Sequence, residues 1–581
     1  MIHRRSFAGL AGVFIAAGAS ALLSAAPAHA QTFEDTGGDA IVHDDQGHEE
    51  IVVDFDDSTS RDQIAADARA AGVTLLPNSF MEAQDHLFRA LVPAGEAESY
   101  AARIRALPGV TAAEPNIRMH VDFMPNDPQL GDQWHMQAVH APVAWNFTCG
   151  QGVTVAVVDT GVACENHGDF TRVMDLNGTR CLPGYDFTRD REHANDDQGH
   201  GTHVAGTIAQ TTNNGFGVAG LAYCATILPV KVLTASGSGT LADVAEGIRY
   251  AADQGAQVIN LSLGGGGRSR VMGDAVTYAR RHGAVVVCAA GNNGRRVESP
   301  ANEDDAFAVS ATDPGDQIAY FSSRGPEVDI AGPGVNVLQQ TICDHGRNRC
   351  EQFAAWSGTS MAAPHVAGVA AMVAGLGVSD PAAIEAILRA TARAPEHGSR
   401  DRELYGAGVV NAQAAVEHVQ RMLGIARAIA LALAIAAAVF IIRNKKGTLA
   451  SPLGWAGPAL LTSTGLFFLP WFVPHFVPGV DLAMRPVGDW SVLLGLGLHK
   501  WLPFANAGVV LGLVALGFGR KKARAPIGGF ALGTAAYLAS QIALGFVAAP
   551  LGGMLRFAWI GVNAAICFWV ARIALDEKTA A

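Results

Sequence analysis

Val153-Thr154-Val155-Ala156-Val157-Val158-Asp159-Thr160-Gly161 is an apolar, β-branched run that stops abruptly at an acid, a threonine and a glycine. Valines favour the pleated backbone, and a run with no polar alternation suits a strand covered by helices on both faces of a parallel sheet. The same pattern repeats outward. A helical stretch over 203–208 leads to an apolar run at 227–232, a helix over 241–252, a run at 258–261, a helix over 271–281, and runs at 284–289 and 306–310. Short apolar runs alternating with amphipathic helices predict an α/β domain with a doubly wound, mostly parallel sheet. In such sheets functional groups gather just past the carboxyl ends of strands, which makes Asp159 the first residue to inspect.

The chain extends well beyond this domain in both directions. Its 581 residues exceed one ordinary core, and its 49% hydrophobic and 16% charged residues are unevenly spread, with the apolar excess at the two ends. A net charge of -12 offers no general attraction to phosphates and excludes nucleic acid as a partner. Residues 1–30 carry a basic start (His3, Arg4, Arg5), an apolar stretch over 7–23 and Ala28-His29-Ala30 before Gln31, the pattern of a removed export signal. Arg4-Arg5-Ser6-Phe7 hints at the twin-arginine route, although an ordinary signal also begins with basic residues. Residues 31–48 are acidic and aperiodic, and 50–121 read as a small α+β unit in the order strand, helix, strand, helix, strand. Pro125, Asn126, Asp127 and Pro128 mark the boundary after it.

At the other end, apolar stretches at 422–442, 455–478, 491–518, 527–549 and 557–575 each approach or exceed the roughly 20 residues that cross a bilayer. Arg427 in the first must snorkel, and His499-Lys500 interrupt the third. Arg443, Lys445 and Lys446 follow the first stretch and Arg520, Lys521, Lys522 and Arg524 the third. Five spans with both basic loops inside place 31–421 outside, Ala581 inside, and membrane lipid among the partners. Export puts seven of the eight cysteines on an oxidising side. Cys343 with Cys350 and Cys164 with Cys181 are the preferred pairs because each closes a short loop. Seven is odd, and Cys288, inside an apolar run, reads as a buried small hydrophobe.

Three segments placed where strands end and helices start supply an acid, an imidazole and a hydroxyl. They are Asp159-Thr160-Gly161, His200-Gly201-Thr202-His203-Val204-Ala205-Gly206 and Gly358-Thr359-Ser360-Met361-Ala362-Ala363-Pro364. Any one alone is an ordinary cap or turn residue. Together, in this order, they closely resemble the subtilisin (subtilase, peptidase S8) family. The resemblance implies a serine endopeptidase in which Ser360 is the nucleophile, His200 its base and Asp159 the carboxylate that holds the imidazole tautomer. His203, one turn on, reads as a packing residue. Asn292, ending Ala289-Ala290-Gly291-Asn292, is implied as the side-chain donor to the oxyanion. Ser236, Gly237 and Ser238, and Ser262, Leu263 and Gly264, are implied as backbone segments that line an extended peptide or protein substrate. A calcium site is implied at Asp127, Asp169 and Asn214 with the carbonyls of Thr211, Phe216 and Val218, and no organic cofactor is needed.

The resulting domains are a signal peptide (1–30), a leader and inhibitory propeptide (31–124), a subtilisin-like catalytic domain (125–421) and a transmembrane helical bundle (422–581). The expected location is the bacterial cytoplasmic (inner) membrane, multi-pass, with the catalytic domain periplasmic or extracellular. The alternative is a protease-like binding module attached to a membrane sensor or transporter bundle, for which Gln541 and Asn563 are the only intramembrane motive. The side-chain preference is not legible, because the 295–298 segment does not align to a pocket wall.

Overall fold

The computed structural model describes residues 41, 48–79, 85–117, 124–395, 401–477, 479–492, 498–545 and 554–578. The expected signal peptide and most of the acidic leader lie outside the described residues. The chain divides into two units, 27–121 and 122–581 apart from the first residues.

The N-terminal unit contains β1 (Glu49–Phe55), α1 (Arg61–Ala71), β2 (Leu76–Pro77), β3 (Leu87–Val92), α2 (Ala97–Arg105) and β4 (Val110–Pro115). Its antiparallel sheet runs β2-β3-β1-β4. Ile51, Val53, Phe88 and Ala90 alternate inward beneath Ile64, Ala101 and Ile104 of the helices. Apart from the two-residue β2, this is the expected order.

The second unit begins with the α/β domain: β5 (Thr154–Asp159), β6 (Tyr185–Asp186), β7 (Arg191–Glu192), α3 (His200–Ala209), β8 (Thr226–Lys231), α4 (Leu241–Asp253), β9 (Val258–Leu261), α5 (Arg270–Arg281), β10 (Val285–Ala289), β11 (Phe307–Thr312), β12 (Val328–Pro333), β13 (Val337–Gln340), β14 (Phe353–Trp356), α6 (Thr359–Gly375) and α7 (Pro381–Ala390). The sheet order is β12-β11-β10-β9-β5-β8-β6-β7, parallel throughout except between β6 and β7. The chain leaves β5 for β8 on one side, then returns to β9 on the other, so the order reverses at β5 and a crevice opens at its carboxyl end. One core lies on the α6 side of the sheet and a second beneath α4 and α5. Helix α6 is buried almost all round, as expected of a helix apolar on every face.

Three disulfides brace this domain. Cys164–Cys181 and Cys343–Cys350 are the expected pairs, and Cys149–Cys224 joins residues 75 apart in sequence. Cys288 is unpaired and buried.

Helix α8 (Ala412–Asn444) passes from this domain into the C-terminal bundle without a break: Ala415, Val419 and Leu423 belong to the α/β core, and Leu431, Ala438 and Ile442 to the bundle core. Its 33 residues span about 50 Å. The longer helices that follow are α9 (Pro452–Ser463), α10 (Leu498–Gly517), α11 (Lys521–Leu544) and α12 (Met554–Leu575). Close packing uses small residues: a Cβ on Gly529 would stand 2.1 Å from Trp455 O, and one on Gly533 2.0 Å from Thr462 Oγ1. Among the described residues, three helices, α8, α11 and α12, are long and apolar enough to cross a membrane.

The expected second span, 455–478, is corrected. Helix α9 ends at Ser463, and the apolar chain continues through short turns. Pro470 and Pro474 supply no N–H to an α-helical ladder, so the chain goes on as a single 3-10 turn at Leu469–Trp471 and irregular turns. This stretch covers the α/β domain: Trp471 packs edge-on against Phe147 with ring centroids 5.2 Å apart, and His475 N donates to Asn146 O at 2.9 Å.

Candidate active site

The site is assembled where β5, β9 and β10 end and α3 and α6 begin. Asp159 closes β5 and is fully buried. Its Oδ1 lies 2.7 Å from His200 Nδ1 and accepts from Thr160 N at 2.7 Å. The two chain segments cross tightly, since a Cβ on Gly201 would stand 2.1 Å from Gly161 O. A side chain at Gly201 would therefore drive the imidazole off the acid.

A buried network fixes that crossing. Asp196 accepts from Thr160 Oγ1 at 2.9 Å through one oxygen and from Thr202 Oγ1 at 2.6 Å through the other, while Gly201 N donates to Thr160 Oγ1 at 2.9 Å. The fully buried Lys231 donates from Nζ to Thr160 O at 2.6 Å and to Asp197 Oδ1 at 2.7 Å. Burial opposes charging of His200, but the charge and hydrogen bond of Asp159, with the charge of Asp196 added, hold its pKa above the usual 6.5. His203 is different. Burial lowers it to about 3, its Nε2 donates to Ala354 O at 2.9 Å, and its ring stacks on Trp356 at 4.5 Å, so it packs as expected.

Ser360 is the second residue of α6. Its carbonyl lacks the usual helical partner because Pro364, four residues on, has no N–H. Ser262 Oγ takes that place, donating to Ser360 O at 2.8 Å, and Ser360 Oγ donates in turn to Ser262 O at 2.9 Å. Asn292 accepts from Thr359 N at 2.8 Å and from Thr359 Oγ1 at 3.0 Å through Oδ1, which leaves its Nδ2 as a donor beside the start of α6. Residues 234–238 form an exposed turn in which Ser236 Oγ bonds Ser238 Oγ at 2.8 Å.

The expected metal set needs one correction. Asp169 is exposed, because the loop closed by Cys164–Cys181 carries it outward in a small turn in which His167 and Phe170 pair. The same loop brings Asp175 inward. Asp127 accepts from Asn213 N at 2.7 Å and Asn214 N at 3.3 Å, and Asp175 from Asn214 Nδ2 at 2.8 Å and Val218 N at 2.9 Å. Burial raises Asp175 to about 6, and the charge of Asp127 adds to the effect. Two buried carboxylates, unneutralised by any ion pair among the described residues, offer the oxygen chemistry a hard cation takes. No three or more His, Cys, Asp or Glu side chains converge among the described residues, so amide and carbonyl oxygens would complete the shell.

Residues 150–422 match the subtilase family model of peptidase S8. A thermophilic serine proteinase of Bacillus sp. (strain AK1) is 40% identical over 332 residues, covering 56% of this chain and 78% of that protein. Thermitase of Thermoactinomyces vulgaris is 43% identical over 298 residues, covering 51% of this chain and 100% of its own length. The chain belongs to the subtilase family. Its activity is that of a serine endopeptidase. Among solved structures, a protease of Pseudoalteromonas arctica is similar at 36% identity and TM-score 0.45, covering 51% of this subtilase and all of that chain. Three residues of this subtilase escaped sequence reading. Lys231 had a signal, a lone lysine closing an apolar strand; Asp175, in a single 3-10 turn, had none, and Glu298 belongs to the 295–298 segment, whose place in the fold was not legible.

Proposed function

We propose that this subtilase cleaves exported peptide or protein substrates through an acyl-enzyme on Ser360, while α8 and the bundle tether it to a membrane. The observation that carries the reading is the 2.7 Å contact between His200 and the buried Asp159 at the sheet's reversal point, beside a helix start that bears Ser360. Rotation of the Ser360 hydroxyl from Ser262 O to His200 Nε2 lets the imidazole take its proton as the oxygen attacks. Asp159 stabilises the imidazolium, and the Nδ2 of Asn292 and the N–H of Ser360 receive the oxyanion. His200 then protonates the leaving amine, and water attacks the acyl-enzyme by the same route. Segments 236–238 and 262–264 offer backbone to an extended substrate. Asp127, Asp175 and Asn214 would hold calcium as a structural ion, away from the reacting atoms.

The N-terminal unit acts in this reading as a propeptide removed after folding. Contacts at one end of the bundle favour the same side of the membrane for the basic loop after α8 and the residues after α12, and the basic charge of that loop favours the inside. Thr448 N donates to Asp576 Oδ1 at 3.3 Å and Lys578 Nζ to Lys446 O at 2.6 Å, which brings the loop after α8 together with the end of α12. With Ser360→Ala, hydrolysis stops and the precursor keeps the N-terminal unit. Full hydrolysis by that variant would refute the nucleophile, and normal maturation would show that another protease processes the chain.

A further inference from the structure

The walls and floor of a slot beside Ser360 are made by three chain segments. Strands β9 and β10 are neighbours, with Cys288 paired to Leu261, and beyond them the backbone diverges into segments 262–264 and 290–292. One wall begins at Ser262, which bonds Ser360, and the other ends at Asn292, which bonds Thr359. The chain then returns between them as a rung: Glu298 N donates to Ala290 O at 3.0 Å, and Gly265 N donates to Ser299 O at 2.9 Å.

Both walls are glycine where they face this rung, and what faces them is a carboxylate. A Cβ on Gly291 would stand 2.7 Å from Glu298 Oε2, and one on Gly264 3.8 Å from the same atom. Gly291 also has φ +111, a conformation open to glycine at little cost. Asn293 Nδ2 donates to Glu298 Oε1 at 2.7 Å and orients the group. Oε2 has no hydrogen-bond or ion-pair partner among the described residues. The nearby Arg295 and Arg296 are exposed and form no ion pair with it among those residues.

We propose that Glu298 forms the floor of the pocket for the substrate side chain on the acyl side of the scissile bond, and that it selects lysine or arginine there. The proposal rests on the endopeptidase reading above and names its substrate class. A backbone-walled slot takes a long, unbranched side chain, and an unpaired carboxylate at its end favours a cation and repels an acid. An apolar residue at that substrate position leaves the carboxylate desolvated and unpaired, which weakens its binding.

The test uses the mature full-length enzyme and tetrapeptide p-nitroanilides that differ only in the residue before the scissile bond. Wild-type kcat/KM for arginine or lysine should exceed that for phenylalanine by about tenfold or more, with glutamate lowest. Glu298→Gln should reduce the arginine-to-phenylalanine ratio by about tenfold, and Glu298→Lys should raise glutamate above arginine. A measurement that needs no variant is inhibition of wild type by peptide aldehydes, where the argininal should bind more tightly than the phenylalaninal. A wild-type preference for phenylalanine, or a ratio unmoved in Glu298→Gln, overturns the proposal and leaves the peptidase reading standing. No hydrolysis of any substrate, with Ser360 unlabelled by a fluorophosphonate, overturns both.

Discussion

The α/β domain and the bundle each bury a charged cluster, and they use it differently. In the first, Lys231 and Asp197 lie beneath the crossing of the Asp159 and His200 segments, and the lysine also holds the carbonyl of Thr160, the residue after Asp159. In the second, Arg427 of α8 lies 2.6 Å from Asp489, which also accepts from Tyr537 of α11. Nearby, Arg485 donates to Gly375 O at the far end of α6, the helix that starts at Ser360. The first cluster fixes a reacting group to a sheet. The second fastens helices to the 464–492 segment and that segment to the back of the enzyme. Buried charge thus braces the crossing of the Asp159 and His200 segments in one place and holds separate elements together in the other.

Breaking the comparison at its most sensitive point gives the largest effect. Asp159→Asn should leave the fold intact, since the amide is isosteric, and lower kcat by about 10⁴-fold, the size known for loss of this carboxylate in serine proteases. Circular dichroism with steady-state kinetics checks both parts; near-normal turnover would remove Asp159 from its role.

Replacing one member of each buried pair sharpens the contrast. Lys231→Met leaves Asp197 with the half-exposed Arg189 alone, and Arg427→Met leaves Asp489 without a cation, so both should destabilise, the second by about 3–5 kcal/mol. Only Lys231→Met should also lower kcat in the protein that remains folded, because only Lys231 reaches the crossing of the Asp159 and His200 segments. Thermal melts in detergent paired with active-site titration separate the two; equal kcat losses would mean that the bundle acts on the nucleophile.

The smallest effect is expected at the calcium set. Excess chelator should lower the melting temperature by several degrees and change kcat little, since a ligand bound only by the folded state stabilises by mass action. Asp175→Asn should abolish the chelator's effect, whereas Asp169→Asn should leave it intact. The reverse pattern would restore Asp169 to the site.

What the sequence disclosed follows from how local the chemistry is. Asp159, His200, Ser360 and Asn292 each sit within a few residues of a strand end or helix start, so hydrophobic pattern and motif place them together. Asp175 was hidden because a disulfide-closed loop, not a periodic element, decides which acid turns inward. Glu298 was hidden for a similar reason: its position depends on two hydrogen bonds between irregular segments. The stretch 455–478 misled because apolar composition does not distinguish a lipid-facing helix from a proline-broken segment packed on a neighbouring domain. Cys149–Cys224 needed the fold itself, which brings the start of β5 beside the start of β8.

The most direct test of the central claim is the rate of fluorophosphonate labelling of the wild-type enzyme as a function of pH, with the modified residue identified by peptide mass spectrometry. Attack requires neutral His200, whose pKa is held above 6.5 mainly by Asp159 against the opposing effect of burial. Labelling should therefore fall on Ser360 alone and slow as the pH drops through a value above 6.5, and in Asp159→Asn the remaining acid limb should move to lower pH. Label on another residue, or a rate indifferent to pH across that range, would contradict the account.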